Sequence, residues 1–299
     1  MTSSRPRTLA ATFGLLALTA VWGSTFVLIK DVVGRMRVVD FLAVRFVLAA
    51  LVMLVLFARP VRRLARPQLG RALLLGVVYG LGQLLQTWGL KLIAPSVSGF
   101  VTGMYVVFTP LLAWLRLRER IATPVWLAVA LATGGLALLS LHGVSVDRGV
   151  WLTLASAALY ALHIVGLGRW SREGDAVGMS AVQVAAIAAV CLLATAPEGP
   201  ALPPDASAWG AVLYMALVAG AGAMLMQTWA QAHLPPARAA IVMTTEPVFA
   251  AAFAVSLGVD ALTWRMLAGG ALVLAAMYLV ELAPRPGATV QAEALHHEV

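Results

Sequence analysis

One segment occurs twice in this chain, at residues 86–141 and again at residues 227–282, with a constant offset of 141. Gln86-Thr87-Trp88, for example, recurs as Gln227-Thr228-Trp229. Each copy lies in a half of nearly pure apolar sequence that contains about five segments of membrane length. Because an odd number of crossings reverses the direction of the chain, the second half must insert upside down relative to the first. Two inverted halves around a site near the bilayer midplane are typical of secondary transporters.

The composition places the chain in a membrane. Hydrophobic residues make up 61% of it and charged residues only 11%, against roughly 25% charged in soluble domains. Charge and proline clusters divide it into ten apolar segments, each close to the ~20 residues that cross a ~30 Å core. They are 9–29, 40–58, 72–92, 95–115, 121–141, 149–168, 177–196, 208–231, 237–258 and 263–282. We predict an all-α integral membrane protein with two inverted five-helix repeats, 1–145 and 146–283, and a flexible C-terminal tail, 284–299.

The net charge of +8 is distributed unevenly over the predicted loops. With the N-terminus inside the cell, 14 basic residues lie at cytoplasmic helix ends and six at the opposite ends, while Arg45 remains inside the second segment. The positive-inside rule therefore predicts a multi-pass protein of the bacterial inner membrane with both termini in the cytoplasm. The excess positive charge is explained by topology and does not indicate a nucleic-acid site. The single cysteine, Cys191, excludes an internal disulfide.

Polar side chains inside the apolar segments are informative, because each needs a protein partner or water at membrane depth. Helices three, four, six and eight carry such side chains along one face. A single stripe could serve interhelical hydrogen bonding, but four of them together favour a shared wet cavity. With residues of helices one and nine they form the predicted substrate pathway: Trp22, Ser24, Tyr79, Gln83, Gln86, Ser98, Thr102, Tyr105, Tyr160, His163, Gln227 and Glu246.

Three ionisable residues lie at membrane depth: Arg45, His163 and Glu246. Arg45 follows Asp40 by only five residues, so we expect it to snorkel towards that end of the helix or to pair with an acid there. Glu246, next to Pro247, could bind a proton, hydrogen-bond the backbone carbonyls that the proline frees, or contact a substrate amine. A structural role of Glu246 is the favoured interpretation.

Glycines and prolines mark points of packing and bending. Gly99 and Gly103 form a small-xxx-small pair on helix four, which allows another helix to approach closely. Pro110 and Pro247 lie inside predicted helices four and nine, near a point where each helix could bend. We assign these four residues to hinge and packing positions.

Three motifs resemble the drug/metabolite transporter superfamily: Trp22-Gly23-Ser24-Thr25-Phe26, Arg118-Glu119-Arg120 at the end of helix four, and Glu246-Pro247-Val248-Phe249. The chain is most similar to the ten-helix EamA-type branch of inner-membrane exporters, over residues 9–283. Within that branch its general likeness is to bacterial exporters of aromatic amino acids. The resemblance implies cytoplasmic termini, a cavity framed by helices 1–4 and 6–9, and export of amino acids or related metabolites by alternating access.

Chemistry that the sequence lacks narrows the mechanism. Neither lysine ends a G-x-x-x-x-G-K-[ST] loop, which argues against ATP as the energy source, and no cluster suggests a sodium, metal or cofactor site. Helices one and six contain no acid of the kind that proton-coupled extruders of cationic drugs need. Facilitated diffusion is favoured, and proton-coupled efflux through Glu246 is the alternative. An intramembrane hydrolase would have to join Ser98 to His163 without any G-x-S-x-G or H-E-x-x-H motif, so we predict no enzyme.

The expected partners are a small-molecule substrate and the lipid bilayer. Helices five and ten carry almost no polar atoms between their ends, so lipid or a second copy of the chain in a homodimer would cover them. The predicted pathway offers aromatic rings and amides with very few fixed charges. These groups fit a neutral or zwitterionic amphipathic metabolite, with aromatic amino acids first.

Overall fold

The computed structural model describes residues 4–117, 123–142, 145–170, 175–223, 226, 230 and 242–282. Nearly all of these residues are helical. The helices are α1 (Ser4–Arg35), α2 (Val38–Leu56), α3 (Ala58–Arg62), α4 (Arg66–Leu92), α5 (Pro95–Gly103), α6 (Tyr105–Leu117), α7 (Thr123–Ser140), α8 (Arg148–Trp170), α9 (Ala176–Leu193), α10 (Ala206–Leu213), a π-helical segment (Tyr214–Gly222), α11 (Glu246–Ser256) and α12 (Trp264–Leu282). Between α7 and α8, strands β1 (Leu141–His142) and β2 (Ser145–Val146) form an antiparallel pair.

Five of the described helices are long and apolar enough to cross a membrane individually: Leu9–Arg35, Val38–Leu56, Arg66–Leu92, Arg148–Leu167 and Ala176–Leu193. Shorter apolar helices occupy predicted segments five, eight, nine and ten, and α5 with α6 occupies segment four. Large apolar side chains such as those of Leu51, Val55 and Leu267 are exposed on the helices, where lipid would cover them. The prediction of an all-α integral membrane protein is confirmed.

Predicted helices four and nine are interrupted at the same position of the repeat. A turn at Met104 separates α5 from α6, and a turn at Thr244 and Thr245 precedes α11. Residue 245 is the repeat equivalent of residue 104, since the offset is 141. Pro247 therefore lies in the first turn of α11, where its missing N–H costs little.

The bend of helix four does not lie at Pro110, which is inside α6. It lies at Met104, whose carbonyl accepts both the N–H of Val107 over 3.0 Å and the N–H of Phe108 over 2.9 Å. This shared acceptor is typical of the tight first turn of a new helix. Because a new helix starts at Tyr105, the carbonyl that Pro110 leaves without its usual donor falls within the first turns of α6 and not at the bend.

Contacts between the halves follow the twofold pattern expected of inverted repeats. Helix α2 packs on α9 and α7 on α12, and α5 of predicted helix four packs on α11 of predicted helix nine, so each pair joins equivalent predicted helices of the two halves. The contact of α1 with α11 likewise has its counterpart in the contact of α8 with α5 and α6. One inverted repeat packed against the other produces this arrangement.

Helix α4 lies against both α9 and α8 at positions that glycine occupies. A Cβ on Gly76 would lie 2.6 Å from the Gln183 carbonyl oxygen and 2.6 Å from the Ala186 Cβ. A Cβ on Gly82 would lie 2.7 Å from the ring of Tyr160. Small residues at these points bring the two halves into backbone contact.

The two glycines assigned to packing on helix four lie on the face of α5 that meets α11. A Cβ on Gly99 would come within 2.8 Å of the Ala250 Cβ. A Cβ on Gly103 would come within 3.2 Å of the Pro247 ring and 3.1 Å of Met277. The two interrupted helices therefore meet closely beside their interruptions.

The two ends of the bundle carry different charges. One end has Arg59, Arg62, Arg63 and Arg66 on or beside α3, and we call it the arginine-rich end. At the opposite end, which we call the ion-paired end, Arg35 pairs with Asp31 and Asp205, and Arg37 pairs with Asp40 and Glu198. There the N–H of Ala208, together with the Arg35 guanidinium, holds the pKa of Asp205 below its usual value. These pairs tie α1 and α2 to the segment between α9 and α10.

Lys30 and Asp260 close helix ends at the ion-paired end. The Lys30 ammonium donates to the carbonyls of Leu90, Lys91 and Ile93, at 3.0, 2.9 and 2.8 Å, and so satisfies the C-terminus of α4. An Asp260 carboxylate oxygen accepts the N–H of Ser96 in the first turn of α5 over 2.9 Å. The first half of the chain is thus tied to the second at this end.

Candidate functional site

Three helices from the two halves meet in a polar network near the middle of the bundle. Gln83 Nε2 donates to the Tyr160 hydroxyl over 2.7 Å, and that hydroxyl donates to Gln86 Oε1 over 2.8 Å. Gln86 Nε2 in turn donates to Thr102 Oγ1 over 3.0 Å. The network, which we define as Gln83, Gln86, Thr102 and Tyr160, joins α4 and α5 of the first half to α8 of the second.

Aromatic rings form one side of this network. The ring of Tyr79 lies 4.8 Å from that of Tyr160 and 5.0 Å from that of His163, between centroids. Both separations are in the range of favourable ring contacts. His163 Nε2 and Gln183 Oε1 share a hydrogen bond of 2.6 Å, which extends the polar groups to α9. Side chains from the predicted stripes of helices three, four and six therefore come together.

Helical spacing explains why α4 contributes most of these groups. Tyr79, Gln83 and Gln86 lie at positions i, i+4 and i+7, so they share one face of α4. Gly82 adjoins that face and leaves room for the Tyr160 ring to lie directly against the helix. The face thus presents one ring and two amides to α8.

Trp22 and Ser24 belong to a second polar group, between α1 and the π-helical segment. Trp22 Nε1 donates to the Ala219 carbonyl over 2.9 Å, and the hydroxyls of Ser24 and Tyr214 share a hydrogen bond of 3.0 Å. With an offset of about 138 in this part of the repeat, Trp22 occupies the position of Tyr160. The two polar groups are therefore repeat counterparts, although their side chains differ.

Glu246 and Tyr105 lie at equivalent positions, each the first residue of the helix that follows an interruption. Glu246 is half-buried in the first turn of α11. The structure gives it no ion pair with any residue that it describes. Gln227, the Arg118-Glu119-Arg120 motif and the tail at 284–299 lie outside the described residues.

Two buried hydroxyls on the helices that the first half contributes to the network have no hydrogen-bond partner within the described part of the chain. They belong to Thr87 and Ser98. Thr87 follows Gln86 directly, and Ser98 lies one turn before Thr102. Helices α4 and α5 thus carry unused hydrogen-bonding capacity close to the network in sequence, which a ligand or water could use.

The expectation that Arg45 snorkels or pairs with a nearby acid is wrong for the described residues. The Arg37 guanidinium donates two hydrogen bonds to the Asp40 carboxylate, of 2.6 and 2.9 Å. The N–H of Ala201 donates to the same carboxylate over 3.2 Å. Arg37 lies one turn from Asp40 at the start of α2, so it reaches that acid more easily than Arg45 does. The Arg45 side chain instead stays inside the bundle with a residue exposure of 9%.

Sequence reasoning did not assign Gln183 or Tyr214 to the site. Gln183 is the repeat equivalent of Arg45, so the repeat offset could have indicated it. Tyr214 could not be found this way, because its face of the helix carries no stripe of polar side chains. It also forms its hydrogen bond with Ser24 from a π-helical segment. Periodicity that assumes an α-helix misplaces side chains in such a segment.

A cleft of about 340 Å³ opens away from the network, at the ion-paired end. Arg37, Trp88, Lys91 and Glu198 are among its lining residues, and no network residue lines it. In the conformation described, the central amides and hydroxyls mainly satisfy one another. A ligand at the centre would therefore exchange some of these hydrogen bonds for its own.

Comparison with known proteins identifies relatives over nearly the whole chain. The sequence profile of the EamA-like transporter family matches it twice, at residues 9–141 and 147–282. A protein of Archaeoglobus fulgidus named "Uncharacterized transporter" is 27% identical over 274 residues, which cover 92% of this chain and 86% of that protein. A solved crystal structure has the same fold, with a TM-score of 0.62 at 21% identity over 98% of this chain and 99% of that one.

Proposed function

We propose, since this chain belongs to the EamA-like transporter family, that it is a secondary carrier which exports small amphipathic metabolites by alternating access. A transporter of this family is not an enzyme, so the intramembrane hydrolase is set aside. The observation that carries the proposal is the polar network, because it joins α4 and α5 of one half to α8 of the other at mid-depth. Relative movement of the halves would remake these contacts and so expose a bound ligand to alternate sides.

The groups around the network define the class of cargo. Tyr79, Tyr160 and His163 present ring faces and edges, which add about 0.5–1.5 kcal/mol to the burial of an aromatic ligand. Gln83 and Gln86 offer amides that can hold polar atoms without a net charge. Polycations and sugar phosphates would lack sufficient counter-charges. The cargo that these groups support best is an aromatic amino acid, and counterflow of labelled phenylalanine into liposomes tests it.

Facilitated diffusion is the favoured mode of transport. The described parts of α1 and α8, which are helices one and six of the repeats, carry Asp31 only at the ion-paired end and no acid near the network. Proton-coupled efflux through Glu246 is the second candidate, because this carboxylate is half-buried in α11 without an ion-pair partner among the described residues. An imposed pH gradient distinguishes the two modes.

We place the arginine-rich end in the cytoplasm of a bacterial cell, with the protein in the inner membrane and both termini inside. In a Cys191→Ser background, Leu202→Cys should react with a membrane-impermeant maleimide on intact cells, because Leu202 is exposed at the ion-paired end. Ala65→Cys, exposed at the arginine-rich end, is the matched control and should react only after the cells are permeabilised. Labelling with the opposite pattern would reverse the orientation.

A further inference from the structure

Arg45 lies inside the bundle without a partner for its charge. It belongs to α2, its exposure is 9%, and the structure gives it no hydrogen bond and no ion pair with any residue that it describes. Its guanidinium lies over the ring of the neighbouring Phe46, 5.0 Å from the ring centroid. A guanidinium keeps its charge in proteins and carries five N–H donors, so burial of all of them unpaired is costly.

The surroundings of Arg45 are those of the candidate site. The Phe46 ring that its guanidinium contacts belongs with Cys191 to one apolar cluster, and Tyr79 packs against that cluster. Tyr160 is the centre of the polar network, and Tyr79 is the ring that packs on it. Arg45 and the aromatic rings therefore border the same region of the bundle.

We propose that Arg45 binds the carboxylate of the transported metabolite, whose ring then packs beside Tyr79 and Tyr160. The proposal rests on the function proposed above and narrows its cargo to amphipathic carboxylates. A guanidinium binds a carboxylate with two parallel N–H···O bonds, which fixes the orientation of the bound molecule. The amine of an amino acid is not needed for this contact, whereas the negative charge is.

Neither Asp40 nor Glu246, among the acids that the structure describes, pairs with Arg45. Asp40 is already engaged by Arg37 and Ala201. No hydrogen bond or ion pair joins Glu246 to Arg45 within the described part of the chain. The guanidinium thus remains available to an anion that enters from outside the protein.

The test compares three ligands that share a phenyl ring: phenylalanine, 3-phenylpropanoate, which lacks the amine, and phenylalaninamide, which lacks the carboxylate. In exchange assays with liposomes, the wild type should prefer both carboxylates over the amide by at least about tenfold, the usual value of a hydrogen bond to a charged group. Arg45→Gln should bring the ratio of phenylalanine to phenylalaninamide exchange close to one. Arg45→Lys keeps the positive charge but lacks the paired N–H donors of a guanidinium, so it should retain part of the preference. Arg63→Gln, at an exposed arginine, should retain all of it.

The ratio is measured within each variant, so a lower yield of folded protein does not change it. If Arg45→Gln fails to fold, thermal unfolding of the wild type decides: phenylalanine and 3-phenylpropanoate should stabilise it and phenylalaninamide should not. An unchanged ratio in Arg45→Gln, or equal stabilisation by acid and amide, would overturn the role of Arg45 while the carrier function stands. If the wild type exchanges none of the three ligands, the proposed function itself fails.

Discussion

Replacing Tyr160 by phenylalanine should destabilise the protein by about 2–4 kcal/mol and reduce phenylalanine exchange at least about tenfold. The hydroxyl of Tyr160 accepts from Gln83 and donates to Gln86, so its loss leaves an amide N–H and an amide oxygen without partners inside the bundle. Gln83 is buried and Gln86 half-buried, and water reaches them poorly. Thermal unfolding in detergent measures the first effect, and counterflow into liposomes measures the second.

Tyr278→Phe is the matched control for Tyr160→Phe. Tyr278 lies on α12, where the structure gives its hydroxyl no bond to any described residue, so this variant should unfold and exchange like the wild type. If Tyr160→Phe also behaves like the wild type in both measurements, the network is not formed and the site has been placed on the wrong residues.

Replacing Gly76 by leucine should prevent the two halves from packing. Even the Cβ of an alanine at this position would lie 2.6 Å from the carbonyl oxygen of Gln183, a backbone atom that cannot turn away. Gly76→Ala should therefore cost about 1–3 kcal/mol, and Gly76→Leu should yield no folded protein in detergent. Size-exclusion chromatography after solubilisation and thermal unfolding measure the two effects.

Gly70 provides the comparison, because it lies on the same helix with nothing within 4 Å of the added Cβ. Gly70→Ala should be neutral or stabilise the helix by about 0.5–1 kcal/mol, and Gly70→Leu should still fold. Equal behaviour of the Gly70 and Gly76 series would contradict the close packing of α4 on α9.

Much of this fold follows from the sequence, because lipid demands apolar helices of a fixed length and inverted repeats leave a constant offset. The sequence also predicts the polar faces of α4 and α8. On α4, for example, helical spacing places Tyr79, Gln83 and Gln86 on one face. Interruptions were harder to place. A proline predicts a bend by its missing N–H, yet the break of helix four lies at Met104, and Pro110 is inside α6.

The role that we propose for Arg45 could not be predicted from spacing along the chain. Asp40 is its nearest acid in sequence, but Arg37 and Ala201 occupy that carboxylate in the folded protein. Only the folded protein shows that the Phe46 ring beside the Arg45 guanidinium lies in the apolar cluster against which Tyr79 packs. Competition for one partner is a property of the tertiary structure, and a single sequence does not record which residue wins.

Counterflow of labelled phenylalanine into liposomes that contain only this protein tests the proposed function most directly, with and without an imposed pH gradient. We expect exchange by the wild type and by Glu246→Gln, with no accumulation above equilibrium in either. The reason is that the described parts of α1 and α8 carry no acid near the network that could couple transport to protons. Failure of the wild type to exchange any aromatic amino acid would contradict the proposed carrier. Accumulation that the gradient drives and Glu246→Gln abolishes would contradict facilitated diffusion and establish proton coupling instead.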